Sequence, residues 1–454
     1  MKGECGLGNG SKRARTLLWF LALPWVGVAL SPGSAAAQPY AYIPVYGAEV
    51  NNSVAVIDTA TDTVTAVIPV EPVALALAVN PAGTRVYTTS VGGVSVIDTA
   101  TNSVIATVRM GEANRYGVAV HPNGTRVYVT NAYGAGWVSV IDAASNTVIA
   151  TVPVVCNAGG VAVHPDGSRV YVTNGCGGGG VSVIDTASNT VIATVPVDGN
   201  GGLAVHPDGT RLYVPGYESS HGALAVVDTT TYAVSKVPVG RGPVGVAVHP
   251  DGSRVYVTDK DNLSDFGGVS VVDTTTNAVV AEVRYEREVQ PEGLSVHPDG
   301  SRLYVAADGI TVIETETNSI ARVVPVECCV WAIGQFIGPP VTIANVDIRP
   351  GTKANAISPK DRGVVPVAIL TSDTFDATLV DPSTARFGAT GIEAAATGST
   401  LRDVDRDGHL DAVLNFNIRD TGIACGQSMA SLTGRTSGGQ AIVASDAIQT
   451  MGCR

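Results

Sequence analysis

The densest chemistry in this chain is the run Asp403-Val-Asp405-Arg-Asp407-Gly408-His409-Leu-Asp411. Carboxylates stand at positions 1, 3, 5 and 9 of the run, with glycine at position 6. Hard oxygen donors on alternating residues can converge on one calcium ion, while the glycine takes the sharp turn. His409 would join through its backbone carbonyl, not its imidazole. Close carboxylates without a cation repel one another. Asp403, Asp405, Asp407, His409 and Asp411 are therefore the expected ligand set of a structural Ca2+.

Histidine is the next group to weigh. Of seven in the chain, His121, His164, His206, His249 and His297 share one position, each just before a proline. Such a ring invites a metal, but each imidazole opens a turn in a different unit. A hydrogen bond within its own unit is the expected role. Cys-x-x-Cys-His, Gly-x-Ser-x-Gly and His-Glu-x-x-His do not occur. Covalent c-type haem, the hydrolase elbow and the zinc-protease helix thus lack their signatures. The chain is read as a binding or scaffold protein and not an enzyme. A channel-centred hydrolase, lactonase-like, or a lyase is the alternative, its carboxylates gathered from scattered positions.

What must position any such groups is a repeat. The phrase Val-Ser-Val-Ile-Asp-Thr recurs with its acidic residue at Asp58, Asp98, Asp142, Asp185, Asp228, Asp273 and Glu314, 40 to 45 residues apart. The tyrosine of Arg-Val-Tyr-Val-Thr-Asn recurs at Tyr42, Tyr87, Tyr128, Tyr171, Tyr213, Tyr256 and Tyr304. Both markers count seven. In one unit the β-type runs are 160–163, 169–173, 181–184 and 190–195. His-Pro-Asp-Gly joins the first two and Asp-Thr-Ala-Ser-Asn the last two. Proline presets one turn position and glycine accepts positive φ. Four antiparallel strands in each unit make a propeller blade, and no unit carries a helical 3.6-residue spacing. The chain enters at Tyr42 on a second strand. Residues 331–337 resume the first-strand pattern after the seventh unit. They are predicted to complete blade one and close the ring, leaving no open sheet edge.

The units resemble the YVTN-repeat propeller family of surface-layer and other exported prokaryotic proteins, over residues 40–338. The first unit departs, with Tyr-Ile-Pro-Val-Tyr-Gly for Tyr-Val-Thr-Asn and Asn80-Pro81-Ala82-Gly83 for His-Pro-Asp-Gly. The resemblance implies the fold strongly and an activity weakly. After Pro339-Pro340 come "VDIRPGTKANAISPKDRGVVPVAIL" and "DPSTARFGATG". These resemble a module appended to exported bacterial proteins, for which no catalytic role is implied. The acidic run is similar to short Asp-x-Asp-x-Asp-Gly-x-x-Asp loops of extracellular β-proteins. It departs from an EF-hand because Leu414, not Glu, holds position 12.

The expected architecture is all-β. Residues 1–37 read as a signal peptide, 38–338 as a seven-bladed propeller, 339–346 as a linker and 347–454 as a β-sandwich-like domain. Lys12, Arg13 and Arg15 precede an apolar run and Ala35-Ala36-Ala37, the pattern of a cleaved leader; an uncleaved anchor is the other reading. No membrane span is expected after the signal is removed. The secreted, periplasmic or cell-surface space follows. A formal net charge of −12 gives no footprint for nucleic acid.

Blade topology sorts the loops. Those after strands one and three lie on one face and are nearly uniform. Those after strands two and four lie on the other and vary, at 112–116, 217–221, 259–266 and 285–292. Arg115, Arg241, Glu292 and Trp331 stand beside inner strands there. They are the candidates for a surface that holds an extracellular protein, glycan or cell-envelope component. Cys156 and Cys176 fall at one end of adjacent strands, where a disulfide fits. Cys425 and Cys453 are expected to pair. Cys328 and Cys329 form either a vicinal bridge or two free thiols. The oligomeric state carries no sequence signal.

Overall fold

The recurring phrases pair in one register along the chain: Tyr128 faces Val140, Tyr171 faces Val183 and Tyr256 faces Val271, all antiparallel. The computed structural model describes residues 39–453 apart from 46–51, 73, 100, 111–114, 133–135, 177–178, 200, 219–220, 261–266, 286–288, 327–329, 331, 333, 339–340, 353, 373–374 and 438–440. The expected leader, Trp331, Cys328 and Cys329 lie outside the described residues. Seven sheets follow in chain order, at 40–69, 77–109, 115–153, 158–195, 204–238, 243–284 and 294–324; the first has three strands and the rest four. The fold is the expected all-β, seven-bladed propeller.

Burial along a blade follows its sequence. Arg169–Asn174 and Val181–Asp185 are buried for nearly their whole length, because neighbouring blades cover both faces of the sheet. Thr190–Val195 forms the outer rim and exposes its first residues. The turn before each outer strand ends in a left-handed residue: Asp62, Asn102, Asn146, Asn189, Tyr232, Asn277 and Asn318 have φ between 49° and 59°. Asn and Asp tolerate that region best, which explains the recurrence of asparagine there.

The ring closes where the sequence predicts. Tyr42 donates its N–H to the Phe336 carbonyl at 2.9 Å, and bridges link Ala41 to Ile337 and Val45 to Val330. Val330, Ala332, Phe336 and Ile337 enter one core with Ala41, Tyr42 and Ile43. The closing segment also meets blade two, through Val79 N–H and the Gln335 carbonyl at 3.2 Å.

Why the turns of one face are uniform is now visible. The Gly167 carbonyl accepts from His121 Nε2 at 2.9 Å and from Thr186 Oγ1 at 2.7 Å. Gly209 accepts likewise from His164 and Thr229, Gly252 from His206 and Thr274, and Gly300 from His249 and Thr315. A carbonyl only accepts, so Nε2 carries the proton. The repeated arginine adds a parallel link: Arg169 donates to the Thr229 carbonyl at 2.6 Å and Arg254 to the Thr315 carbonyl at 2.6 Å. The histidine bond therefore runs between blades, and not within one as the sequence reading held. His297 and Arg302 complete the circuit on Thr59 of blade one, at 3.2 and 3.0 Å.

One consequence is acid sensitivity. Hydrogen bonds from Ser253, opposed by partial burial and aided by His249, hold the Asp251 carboxyl at about 2. A depressed pKa adds stability above the unfolded value of about 3.9, and that stability is lost as pH falls through the folded value. The carboxylate is largely exposed, so screening keeps the effect modest. Melting temperature is expected to fall from about pH 4 to about pH 2, and less steeply in Asp251→Asn. Equal slopes in calorimetry would refute this.

Residues 341–447 form one eight-stranded sheet that divides into two four-stranded halves, the C-terminal layers. Val341–Ile343, Ala441–Ala447, Met429–Thr436 and Val380–Gly388 make one. Ala394–Arg402, Asp411–Asn417, Val364–Leu370 and Asn345–Ile348 make the other, joined to the first where Arg386 pairs with Ala395. Phe387 and Phe416 meet in the core that both halves share, with ring centroids 5.3 Å apart and planes tilted by 37°. This is the β-sandwich-like arrangement expected from the sequence. Among the described residues it meets the propeller where Ile392 enters the core of blades two and three and where Arg435 donates to the Pro81 carbonyl at 2.8 Å. Among the described residues, no helix is long and apolar enough to cross a membrane.

Candidate functional site

The threonine of Tyr-Val-Thr builds the mouth of the propeller's channel. Thr130 Oγ1 accepts from Gly117 N–H at 2.7 Å and donates to the Gly159 carbonyl of the next blade at 2.6 Å. Thr258 repeats this with Gly245 N–H at 2.8 Å and the Glu292 carbonyl at 2.6 Å. Glycine is required at these crossings: a Cβ at Gly160 would lie 2.6 Å from the Gly201 carbonyl. The inner strands thus approach each other closely on the side of the variable loops.

The sequence candidates on that side divide. Arg241 is exposed, two residues before the inner strand Pro243–Val248. Arg115 opens the inner strand Arg115–Val120. Glu292 is 8% exposed and pairs with Lys260, Nζ to Oε1 at 2.5 Å. Burial raises its carboxyl above the usual range, against the pull of Lys260. Glu292 is therefore a buried ion-pair partner between blades six and seven. Lys260 was not among the sequence candidates, and nothing in its local phrase marked it. Cys156 and Cys176 are bonded, with Cα atoms 6.0 Å apart, and pin two loops of this face. Cys425 and Cys453 are bonded in the C-terminal layers, with Cα atoms 5.6 Å apart. Two disulfides fit an oxidising compartment outside the cytosol.

The channel itself is a cavity of about 650 Å3 lined by the Gly-Val-Ala-Val phrases of the inner strands. Among its described lining residues there is no carboxylate, histidine or cysteine; the polar side chains are Asn80, Ser295, Gln335 and Arg435. Arg435 comes from the C-terminal layers and was not anticipated, because its phrase Thr-Gly-Arg-Thr reads as an ordinary strand.

The acidic loop gathers three of its expected members. Single carboxylate oxygens of Asp403, Asp405 and Asp411 lie within 4.8 Å of one another. Asp411 is fully buried and accepts from Thr371 N–H at 2.9 Å and Val404 N–H at 2.8 Å. Asp403 accepts from Arg406 N–H and Gly408 N–H at 2.7 and 3.1 Å, which folds the loop onto itself. Gly408 sits at φ 95° with open space about it. Asp407 accepts the His409 N–H at 2.8 Å and stands outside the trio. Desolvation, then the charges of Asp407, Asp411 and Asp403, raise the Asp405 carboxyl. An all-oxygen donor set of this kind suits a hard cation.

No family model and no curated protein matches this chain. Among solved structures it is similar to dihydro-heme d1 dehydrogenase NirN in complex with DHE, with TM-score 0.51 and 15% identity over 67% of this chain and 76% of that one. It is also similar to the hydrazine synthase of Kuenenia stuttgartiensis, with TM-score 0.48 and 20% identity over 54% of this chain and 77% of that one. The likeness to the dehydrogenase extends to the fold alone. It corrects one expectation all the same: the chain was read as not an enzyme because no assembled catalytic motif appears in its sequence, and the fold it shares is also that of a dehydrogenase.

Proposed function

We propose that this chain is an exported, YVTN-type propeller, secreted, periplasmic or held at the cell surface. In this reading its variable-loop face binds an extracellular protein, glycan or cell-envelope component. The observation that carries the reading is the asymmetry of the two faces. On one, the repeated His, Arg and Thr side chains are engaged between blades and Arg435 of the C-terminal layers rests on Pro81. On the other, loops differ from blade to blade over a mouth fixed by threonine bridges and a disulfide. Rigid scaffold with variable loops is the arrangement in which recognition residues are found.

Loop-face variants test it. Purified protein is expected to bind the cell-envelope fraction, and Arg241→Glu to weaken that binding about tenfold, the scale of one interface residue. Asp166→Asn, on the opposite face, should leave it unchanged. Loss in Asp166→Asn with full binding in Arg241→Glu would reverse the assignment of the faces.

For the C-terminal layers the reading is a structural calcium ion held by Asp403, Asp405 and Asp411, with the His409 carbonyl and Asp407 completing the loop. Extracellular calcium is millimolar, enough to fill even a weak site. The buried, doubly hydrogen-bonded Asp411 supports this, since it fixes one ligand before the ion arrives.

A further inference from the structure

One end of the channel differs chemically from everything else in it. The inner strands run six residues in Ala158–Val163 and Pro243–Val248, so the tube is about 20 Å deep at a strand rise of about 3.3 Å per residue. Along that depth its wall is Gly, Ala, Val, Leu and Pro, broken by Asn80, Ser295 and Gln335. At the His-Pro-Asp-Gly end stands Arg435, half-buried, its Nη2 donating to the Pro81 carbonyl. The residue belongs to Met429–Thr436, a strand of the C-terminal layers. Ile392 of the same layers is locked in the core of blades two and three. A second part of the chain thus presents a cation to the base of a narrow apolar tube.

From this juxtaposition we infer that the channel binds a slender amphipathic oxyanion, a single alkyl or acyl chain ending in a carboxylate or phosphate. The chain lies in the Gly-Val-Ala-Val tube and the head meets Arg435. The volume falls in the range of small-molecule sites, which are mostly apolar with a few placed polar groups. The wall excludes bulky or highly polar ligands, having few side chains to pair with them. A guanidinium recognises carboxylate and phosphate through paired N–H donors. Among the described lining residues there is no acid to receive a cationic head. Burial disfavours the charged form of Arg435, and an arriving anion would offset that cost. This site is distinct from the loop surface proposed above, and either can fail alone, because the loops are probed with envelope material and the channel with a defined amphiphile.

Isothermal titration of the full chain tests it with dodecanoate, dodecyl phosphate, acetate and dodecyltrimethylammonium. One or both of the long-chain anions should bind at one per chain, the tighter identifying the head group. Acetate and the cation should bind at least about tenfold more weakly, one lacking the tail and the other carrying the opposite charge. Arg435→Gln should cost the anion about tenfold or more, the scale of a charged hydrogen bond. Gly202→Phe offers a variant that leaves Arg435 untouched. Gly202 lines the tube, and a Cβ there would meet nothing closer than 3.6 Å. Its ring should block the tail and abolish binding while the melting temperature stays near that of wild type. The site is refuted if neither anion binds the wild type, if the cation binds as well as the anions, or if both variants bind as tightly as wild type. A purely structural Arg435, stapling the layers to blade two, would lower the melting temperature of Arg435→Gln and leave anion affinity unmoved.

Discussion

Phe336→Ala is expected to lower the unfolding free energy by about 3–5 kcal/mol, although the residue stands outside all seven repeats. Its ring is fully buried, in a core that draws on the first strands of the chain and on blade seven. Its carbonyl receives the Tyr42 N–H, and the adjacent Gln335 carbonyl receives that of Val79. Removing the ring leaves a cavity at the one seam where distant parts of the chain must meet, and the inter-blade hydrogen bonds nearby share the strain. Tyr304 Oη to Asp62 Oδ1 at 2.7 Å and Arg302 to the Thr59 carbonyl at 3.0 Å cross that same seam. Val191→Ala, on an exposed outer strand, is the control and should change stability by no more than about 0.5 kcal/mol. Urea denaturation of both variants decides the matter. A cost below about 1 kcal/mol for Phe336→Ala, the average for any substitution, would mean that the ring does not depend on this closure.

What the sequence disclosed and what it hid divide along a physical line. Blade number, strand order and the closing segment were legible because each is a local pattern repeated seven times, and because the missing strand of blade one had an obvious donor. The fold's two faces were legible from loop uniformity. The reason for that uniformity was not: His121 and Gly167 sit in different units, and a side chain reaching one blade over leaves no trace in the spacing of its own unit. The Lys260–Glu292 pair escaped for the same reason. Arg435 was hidden more deeply, since only the docking of the C-terminal layers brings it to the channel. In the acidic loop the spacing found the right segment, yet treated its carboxylates alike. The structure separates them, because Asp411 begins a buried strand and Asp407 turns back to its own loop.

Asp411→Ala should be a damaging substitution in the C-terminal layers, costing roughly 1–3 kcal/mol, because it takes the acceptor from two part-buried backbone donors. Thr371 N–H and Val404 N–H belong to separate segments, and the Asp411 carboxylate is what joins them. Asp411→Asn keeps one oxygen for that purpose and should cost less. The calcium reading adds an independent expectation. At millimolar calcium and a site of comparable dissociation constant, chelation should cost the wild type about 0.5–1.5 kcal/mol. That shift should vanish in Asp411→Asn, which lacks the full charge, and in Asp403→Asn. Calorimetry with and without chelator separates the two effects. A chelator shift retained in both Asn variants, or absent from wild type, would remove the ion from the loop, while the cost of Asp411→Ala would still report the hydrogen bonds alone.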